Sequence, residues 1–530
     1  MEHTVSRRAF VKGASAGALA LSFAAMAGCS KPSPDQLAGT SPSAAPRTIS
    51  RTDTCDIVIV GSGTAGMCAA ARASELGAKV IVLEQNSSPG GTSTVAEGLA
   101  GVNSYIHRRD GISIDVNEAV NAAANYGHWG ANKDVLTRYV AESGATIDWL
   151  HDSCGINFVV ATVTAPTSYP SWHLLGDEKG DQVLVGPGVI EPLQAFVESH
   201  NSEVRLSNPA TGLIVEDGAV KGVYASDGSE DYAIEADAVI LATGGYSDNE
   251  EMFERFSGIP FDRVYRWGIP GRNGNGISWA EEIGAALHNP GNVMFAASRV
   301  TGATELAEEL NFLVSFQCML RVNDHGRRFF NESQYMDFTG ISNAILAQSS
   351  TFALFDQAWL DGVRTELVPM GWPLHGFPID GPLPQAQDVM DAAVDAGNLV
   401  KANSIAELAD ALGIDAAGLQ ETVENYNAFI AQGVDEELGA DTSMLPPMLE
   451  APFYGGQIFA GSYATCGGLN VDENMRVISR EGDFIPGLYA LGGDASSIYG
   501  HDYDVGVLSG SQQGWCATGG RLAAEFILDA

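Results

Sequence analysis

The chain is 530 residues long, which at about 150 residues per domain suggests two to four domains and excludes a mini-protein held together by disulfides. Its 66 acidic against 28 basic residues give a formal charge of −38 on a chain only 18% charged, a field that repels phosphate backbones and argues against nucleic-acid binding. With 45% hydrophobic residues and 61 glycines, the composition is that of a glycine-rich globular α/β enzyme and not of a disordered acidic tail.

At the N-terminus, Ser6-Arg7-Arg8-Ala9-Phe10 precedes an apolar, alanine-rich run from Gly13 to Gly28, the order of a twin-arginine export signal. The run is shorter than the ~20 residues a bilayer-crossing helix needs. Met26-Ala27-Gly28-Cys29 has the form of a lipoprotein processing site, at which a diacylglyceryl group on Cys29 would hold the protein at the membrane surface. Met26 is atypical for that pattern, and a plain cleavage site is the alternative. Lys31 to Ser50 are rich in Pro, Ser and Ala and read as a flexible tether. Residues 1–30 are thus expected to be an address and 31–50 a linker. The protein would be extracytoplasmic, touching the membrane only through the lipid on Cys29. The seven cysteines, at 29, 55, 68, 154, 318, 466 and 516, form no C-x-x-C pair, which argues against a zinc ribbon or a thioredoxin-type site, and nothing in the sequence pairs them.

Cys55 to Val60 is a short β-branched run followed directly by Gly61-Ser62-Gly63-Thr64-Ala65-Gly66. An alanine-rich helical stretch, Met67 to Leu76, comes next, then a second strand from Val80 to Leu83 that ends in Glu84. Strand, glycine turn, helix, strand and acid is the dinucleotide-binding order. Gly61 permits the turn, Gly63 lets a pyrophosphate approach the backbone, Gly66 lets helix and strand pack, and Glu84 is placed to accept from a ribose diol. Three further glycine elements follow: Pro89-Gly90-Gly91-Thr92-Ser93, Ala238 to Gly245, and Ile485 to Asp494. An NAD fold completes its site early, whereas this chain brings its last segment back to its first, as a flavoprotein does.

From about Asp56 to the C-terminus the sequence resembles the flavoprotein family of soluble fumarate reductases, urocanate reductases, 3-ketosteroid dehydrogenases and related exported reductases. The likeness extends to Gly274-Asn275-Gly276, Gly326 to Glu332, Tyr426-Asn427, Pro452-Phe453-Tyr454 and Gly467-Gly468. The family usually has aspartate where Asn275 stands. The resemblance implies an α/β fold: a Rossmann-type FAD-binding domain (GR2-like), residues 51–295 and 451–530, interrupted by an α+β capping domain, 296–450. It carries FAD contacts onto Gly61, Gly63, Thr64, Ala65, Gly66, Glu84, Gln85, Gly91, Thr92, Ser93, Ala242, Thr243, Gly244, Asn275, Asp494, Gly506, Val507 and Leu508. No histidine occupies Gly91-Thr92-Ser93, where relatives attach flavin covalently, so FAD is expected to be noncovalent. No haem or FMN module is appended, which implies a separate electron-transfer partner, a multihaem cytochrome or a flavin carrier.

Fumarate-type relatives grip a dicarboxylate with arginines and histidines. Here Met336 stands at the proton-delivering arginine, Tyr503 at the second carboxylate-binding arginine, and no histidine precedes Gly467-Gly468. Two carboxylates would be buried without partners. What stands instead resembles the ketosteroid branch, which implies catalytic roles for Tyr335 and Tyr503, with a backbone N–H at Val507 beside the substrate carbonyl. His501, three residues before Asp504 on the same loop, is a candidate proton carrier. Glu305 and Glu308, where relatives run a proton path, read as a solvated helical face. The expected function is an exported FAD oxidoreductase that reduces or forms a C=C bond conjugated to a carbonyl in a mostly neutral steroid-like or aromatic small molecule. A respiratory reductase of an unsaturated carboxylate and an electron-carrier lipoprotein are the alternatives.

Overall fold

The computed structural model describes residues 48–163, 168–177, 179–301, 308–365, 382–503 and 506–529. The export signal, Cys29, most of the tether, Glu305, the Glu308 side chain and Asp504 lie outside these.

The strand Ile49–Val60 shows why an apolar run follows an alternating one. Its first eight residues alternate in exposure, whereas Ile57 to Val60 are buried on both faces, as in a parallel sheet covered on both sides. It sits inside an eight-stranded sheet. The parallel strands run in spatial order Phe484–Ala490, Asp231–Leu241, Ile49–Val60, Val80–Leu83 and Glu203–Arg205. Arg476–Ile478 closes one edge antiparallel, and the hairpin of Ala210–Glu216 and Ala219–Ser226 joins Asp231–Leu241. Register places Val60, Leu83, Leu241 and Ala490 at one level, so the four following loops emerge together at the carboxyl edge, where such sheets bind ligands. The alanine-rich helix Thr64–Glu75 packs on the C-terminal helix Ser511–Asp529. The approach requires small residues: a Cβ on Gly520 would meet the Ala65 carbonyl oxygen at 2.5 Å.

A six-stranded sheet is organised around the long strand Phe453–Thr465, which pairs with Val264–Arg266, Val293–Val300, Thr351–Asp356 and Val400–Ala402; Leu320–Asn323 adds to Thr351–Asp356. Strands from both sides of the 295/296 and 450/451 divisions thus share one sheet, and Val293–Val300 runs through the first division. Leu320, Phe352, Leu354, Leu408, Leu419 and Tyr426 form a second apolar core within the inserted stretch. Beside it, Arg328 forks onto two carboxylates with all three side chains fully buried. Its Nε and Nη2 donate to Glu332 at 3.0 and 2.6 Å, and Nη1 and Nη2 to Asp435 at 2.9 Å each. The Gly326–Glu332 motif thereby ties together two stretches of the insertion that are 107 residues apart.

A four-stranded sheet, Gly98–Ala100, Phe158–Thr162, Trp172–Gly176 and Gln182–Val183, is pinned by a polar knot. His173 Nδ1 faces the Ser171 carbonyl at 2.8 Å and therefore carries the proton, leaving Nε2 to accept from the Ser104 hydroxyl at 2.6 Å. His107 Nε2 donates to the Pro170 carbonyl at 2.8 Å, and its Nδ1 accepts from the Ser104 N–H at 3.1 Å. Both imidazoles are fully satisfied as neutral groups. Burial holds the His107 pKa below its ordinary value and pushes His173 down to about 3.

All six described cysteines are free thiols. Among the described residues, no helix is long and apolar enough to cross a membrane, and no cluster of His, Cys, Asp and Glu is placed to hold a metal.

Two predictions follow from these buried groups. A histidine whose folded pKa lies below the unfolded value of about 6.5 contributes stability above that pH and loses it as pH falls. Unfolding titrations between pH 7 and 4.5 should show wild-type stability falling by up to about 1.4 kcal/mol per pH unit per buried imidazole. His173→Asn should flatten the slope; an equal slope in both proteins would show that these rings are not held neutral. Arg328→Ala leaves Glu332 and Asp435 as buried uncompensated carboxylates and should cost about 3–5 kcal/mol in denaturant unfolding. A loss below about 1 kcal/mol would reduce the fork to the worth of a surface pair.

Candidate functional site

The loops at the sheet's carboxyl edge enclose a groove. At its centre Gly61, at φ +107°, donates its N–H to the Leu83 carbonyl at 2.8 Å, and a Cβ there would lie 2.2 Å from the Ala242 carbonyl oxygen. A Cβ on Gly66 would lie 2.0 Å from the Gly61 carbonyl oxygen. These two glycines are needed for backbone packing. Gly63 instead opens the floor: its nearest neighbour would be the Ser93 hydroxyl at 3.5 Å. The Ser93 hydroxyl in turn accepts from the Thr64 N–H at 3.2 Å, closing on the start of the helix.

Glu84 stands at one end, buried yet lining the groove. Its carboxylate accepts from the Ser62 N–H and hydroxyl at 3.1 and 2.6 Å and from the Asn86 N–H at 2.8 Å. Two oxygens with about four acceptor sites leave capacity for one ligand hydroxyl. Gln85 reaches across to the Gly271 carbonyl at 2.9 Å. On the opposite wall lie Ala242, Thr243, Gly244 and Asn275, and the near wall carries Gly91, Thr92 and Ser93. The sequence-predicted residues Gly61, Gly63, Glu84, Gln85, Gly91, Thr92, Ser93, Ala242, Thr243, Gly244 and Asn275 are thus brought to one groove.

Others are not. Thr64, Ala65 and Gly66 are buried in the first turn of the helix behind the groove. Asp494 is fully buried; its carboxylate accepts from the Thr243 N–H and hydroxyl at 2.5 and 2.9 Å and from the Gly245 N–H at 2.9 Å. It ties the turn after the strand Asp231–Leu241 to the segment after Phe484–Ala490, and burial raises its pKa. Gly506, Val507 and Leu508 do not line the groove. Leu508 is anchored in the apolar core, the Val507 carbonyl accepts from the Tyr169 N–H at 3.0 Å, and Gly506 faces the Tyr126 ring. The contribution of that segment comes a few residues later, from Gln512 and Gln513 in the first turn of the C-terminal helix.

Gln512 and Gln513, with Thr92 and Ala464, line both this groove and a neighbouring cavity of about 180 Å³. The walls of the second cavity are Trp172, Trp267, Phe312, Phe316, Phe338 and Tyr463, joined by Met294 and Asn311. Tyr503 is in this cavity, buried and edge-on to Tyr499 at 5.7 Å between centroids. The Tyr499 hydroxyl is within 2.7 Å of that of Ser511. Tyr335 is not brought there. It is half-buried against the second apolar core, and burial near Cys318 raises its pKa. His501 is exposed, on a separate depression beside Asn289 and Asn343. The catalytic roles expected of Tyr335, His501 and Val507 therefore have no support in the cavity geometry: Tyr335 packs on the second core, and His501 and Val507 do not line the cavity that Tyr503 enters.

Sequence reasoning missed several residues. Arg272 lines the cofactor groove in a bidentate pair with Asp248, at 3.1 and 2.9 Å, and donates to the Trp267 and Tyr463 carbonyls at 2.8 and 2.5 Å. Its only sequence signal was its place just before Gly274-Asn275-Gly276. The aromatic walls carry no periodic signal, since they come from five separate segments. Gln512 Oε1 is buried at the junction without a hydrogen-bond partner, and an orphaned buried amide is what a polar ring seated there would satisfy. The open floor at Gly63, the acceptor at Glu84 and this amide together fit a dinucleotide that ends in a flavin.

Comparisons with known proteins agree. A family model described as an FAD binding domain, FAD_binding_2, matches residues 56–506. The vinyl phenol reductase of Lactiplantibacillus plantarum is 29% identical over 90% of this chain and 98% of its own length. The fumarate reductase (cytochrome) of Shewanella frigidimarina is 28% identical over 89% of this chain and 77% of its own. In fold, the chain is similar to the crystal structure of 3-ketosteroid Δ1-dehydrogenase from Sterolibacterium denitrificans, with a TM-score of 0.75 and 21% identity, covering 90% of this chain and 100% of that one. The chain belongs to the FAD_binding_2 family and is an FAD-dependent oxidoreductase that acts on CH–CH bonds of small molecules.

Proposed function

We propose that the chain holds FAD noncovalently and reduces, or in the opposite direction forms, a carbon–carbon double bond in a mostly neutral aromatic or steroid-like molecule. The observation that carries this reading is the wall of the cavity beside the cofactor groove: aromatic rings, with no Lys or Arg among the described lining residues. A dicarboxylate in such a site would lose its hydration and gain no partner. Flat apolar faces instead suit a planar substrate. The names of the relatives from Lactiplantibacillus and Sterolibacterium support an aromatic or steroid-like alkene.

Bound FAD supplies hydride transfer at its N5. The protein's own part is to orient the substrate between the rings, exclude water, and hold a proton at the Tyr503 hydroxyl for exchange with the substrate carbon next to the one that takes the hydride. Residues 51–295 and 451–530 would act as the flavin domain and 296–450 as the cap over its ring. Arg7-Arg8 and Cys29 support an extracytoplasmic, lipid-anchored protein. Electrons would then come from a separate multihaem cytochrome or flavin carrier, a reading supported by the name of the Shewanella relative.

Oxidation of a reduced viologen dye by FAD-loaded protein tests the reading against a panel of vinylphenols, 3-keto-4-ene steroids, urocanate and fumarate. Neutral alkenes should be turned over and fumarate should not; rapid fumarate turnover would overturn the proposal. Tyr503→Phe should retain FAD yet lose at least about tenfold in kcat, the low end of what a positioned acid or base contributes. A wild-type rate would leave Tyr503 a packing residue.

A further inference from the structure

Asn311 lines the substrate cavity from the helix Glu308–Ser315, directly before Phe312, one of the wall rings, and is only 1% exposed. Its amide is held in one orientation. The Val300 N–H, at the end of the strand Val293–Val300, donates to Asn311 Oδ1 at 3.4 Å. An N–H needs an acceptor, so the oxygen of the amide must face Val300 and Nδ2 is left as a fixed donor. Among the described residues Nδ2 has no hydrogen-bond partner, yet it is not sealed in protein; the space beside it is the cavity. Water can occupy that donor while the cavity is empty. Once a ligand displaces the water, the donor is left unpaired at a cost of about 1–3 kcal/mol unless the ligand itself brings an acceptor.

Position and size narrow the ligand further. Asn311 lines the cavity but not the cofactor groove, whereas Gln512 and Gln513 line both. A ligand whose acceptor sits on Nδ2 therefore points its other end at the junction where the cofactor ring would lie. A cavity of roughly 150 Å³ takes up one benzene. At about 180 Å³ this cavity suits one ring with a short side chain directed to the junction, and a four-ring skeleton needs several times that space.

Resting on the neutral-substrate reading of the cavity, we infer that the substrate is a single-ring aryl alkene with an oxygen on the ring, and that Asn311 is the specificity-determining residue that holds this oxygen through Nδ2. The alkene is thereby directed at the junction and the oxygen away from it. Selection rests on the donor left unpaired: an analogue that lacks the oxygen fits the same rings but buries the Asn311 amide without a partner, which is the stronger form of discrimination a pocket can make. Multi-ring alkenes are rejected by volume, since overfilling a packed space forces its walls apart.

The test is a binding titration of FAD-loaded protein, read from the flavin absorbance, with 4-ethylphenol, ethylbenzene, 4-methylanisole, a 3-keto-4-ene steroid and fumarate. Wild type should bind 4-ethylphenol at least about tenfold more tightly than the steroid. Asn311→Leu should weaken 4-ethylphenol about tenfold and move ethylbenzene by less than about twofold, with FAD content unchanged. Asn311→Asp keeps an acceptor for the Val300 N–H but removes the donor, and should weaken 4-methylanisole, whose oxygen can only accept, by about tenfold. Equal effects of N311L on 4-ethylphenol and ethylbenzene, or unchanged 4-methylanisole binding in N311D, would make Asn311 a packing residue and overturn the proposal. A steroid bound by wild type as tightly as 4-ethylphenol would also overturn it and leave the neutral-substrate reading standing. Fumarate binding to wild type while no neutral ligand perturbs the flavin would refute that reading and this inference with it.

Discussion

A single buried carboxylate joins the parts of the flavin-binding architecture that lie on either side of the insertion. Asp494 lies at the exit of the strand Phe484–Ala490 and accepts from Thr243 and Gly245, some 250 residues earlier in the chain. Hydrogen bonds to a charged acceptor are worth roughly 1.5–3 kcal/mol each, so Asp494 can hold the last sheet strand in register with its neighbour Asp231–Leu241 in spite of the long insertion between them. Everything that makes the groove depends on that register. Only when Val60, Leu83, Leu241 and Ala490 end at one level do the glycine turn, Glu84 and the C-terminal helix face the same space.

The second consequence of that closure is the junction. The C-terminal helix begins at Ser511, and its first turn gives Gln512 and Gln513 to both the cofactor groove and the aromatic cavity. A cofactor ring seated there would meet a substrate held by side chains from the sheet of Trp172, the strand of Met294 and the helices of Phe312 and Phe338. Rigid supports lie behind this wall: the Ser104–His107–His173 knot fixes the strand that begins at Trp172, and the Asp248–Arg272 pair fixes the loop of Trp267. Chemistry at the site is therefore governed by shape: aromatic faces and one tyrosine hydroxyl.

The cofactor groove was legible in the sequence because its residues are local. Gly61 to Glu84 is one continuous unit whose spacing follows from strand, turn and helix geometry, and the structure gathers most of its members on one groove. Where the reading and the cavity geometry part, position in the sequence does not fix the direction a side chain takes. Gly506 to Leu508 sit at the right place in the chain, but Leu508 is drawn into the core and the helix amides and amide side chains a few residues later take the position. Tyr335 and Tyr503 looked equivalent as replacements for lost charges; only Tyr503 turns into the cavity, because Tyr335 packs on the separate core of the insertion. Arg272 and the aromatic wall were invisible for a different reason. They are assembled from distant segments by tertiary packing, which no local spacing encodes.

The central claim is that one continuous space receives the cofactor ring on one side and a neutral planar substrate on the other, with Tyr503 at the point of contact. A crystal structure of the FAD-loaded protein with a bound vinylphenol tests it most directly. The predicted result is a flavin ring against Gln512, the ligand ring among Trp172, Trp267 and Phe312, and the Tyr503 hydroxyl within about 3.5 Å of the ligand. A ligand bound away from these rings, or a Tyr503 side chain turned out of the cavity in the complex, would contradict it.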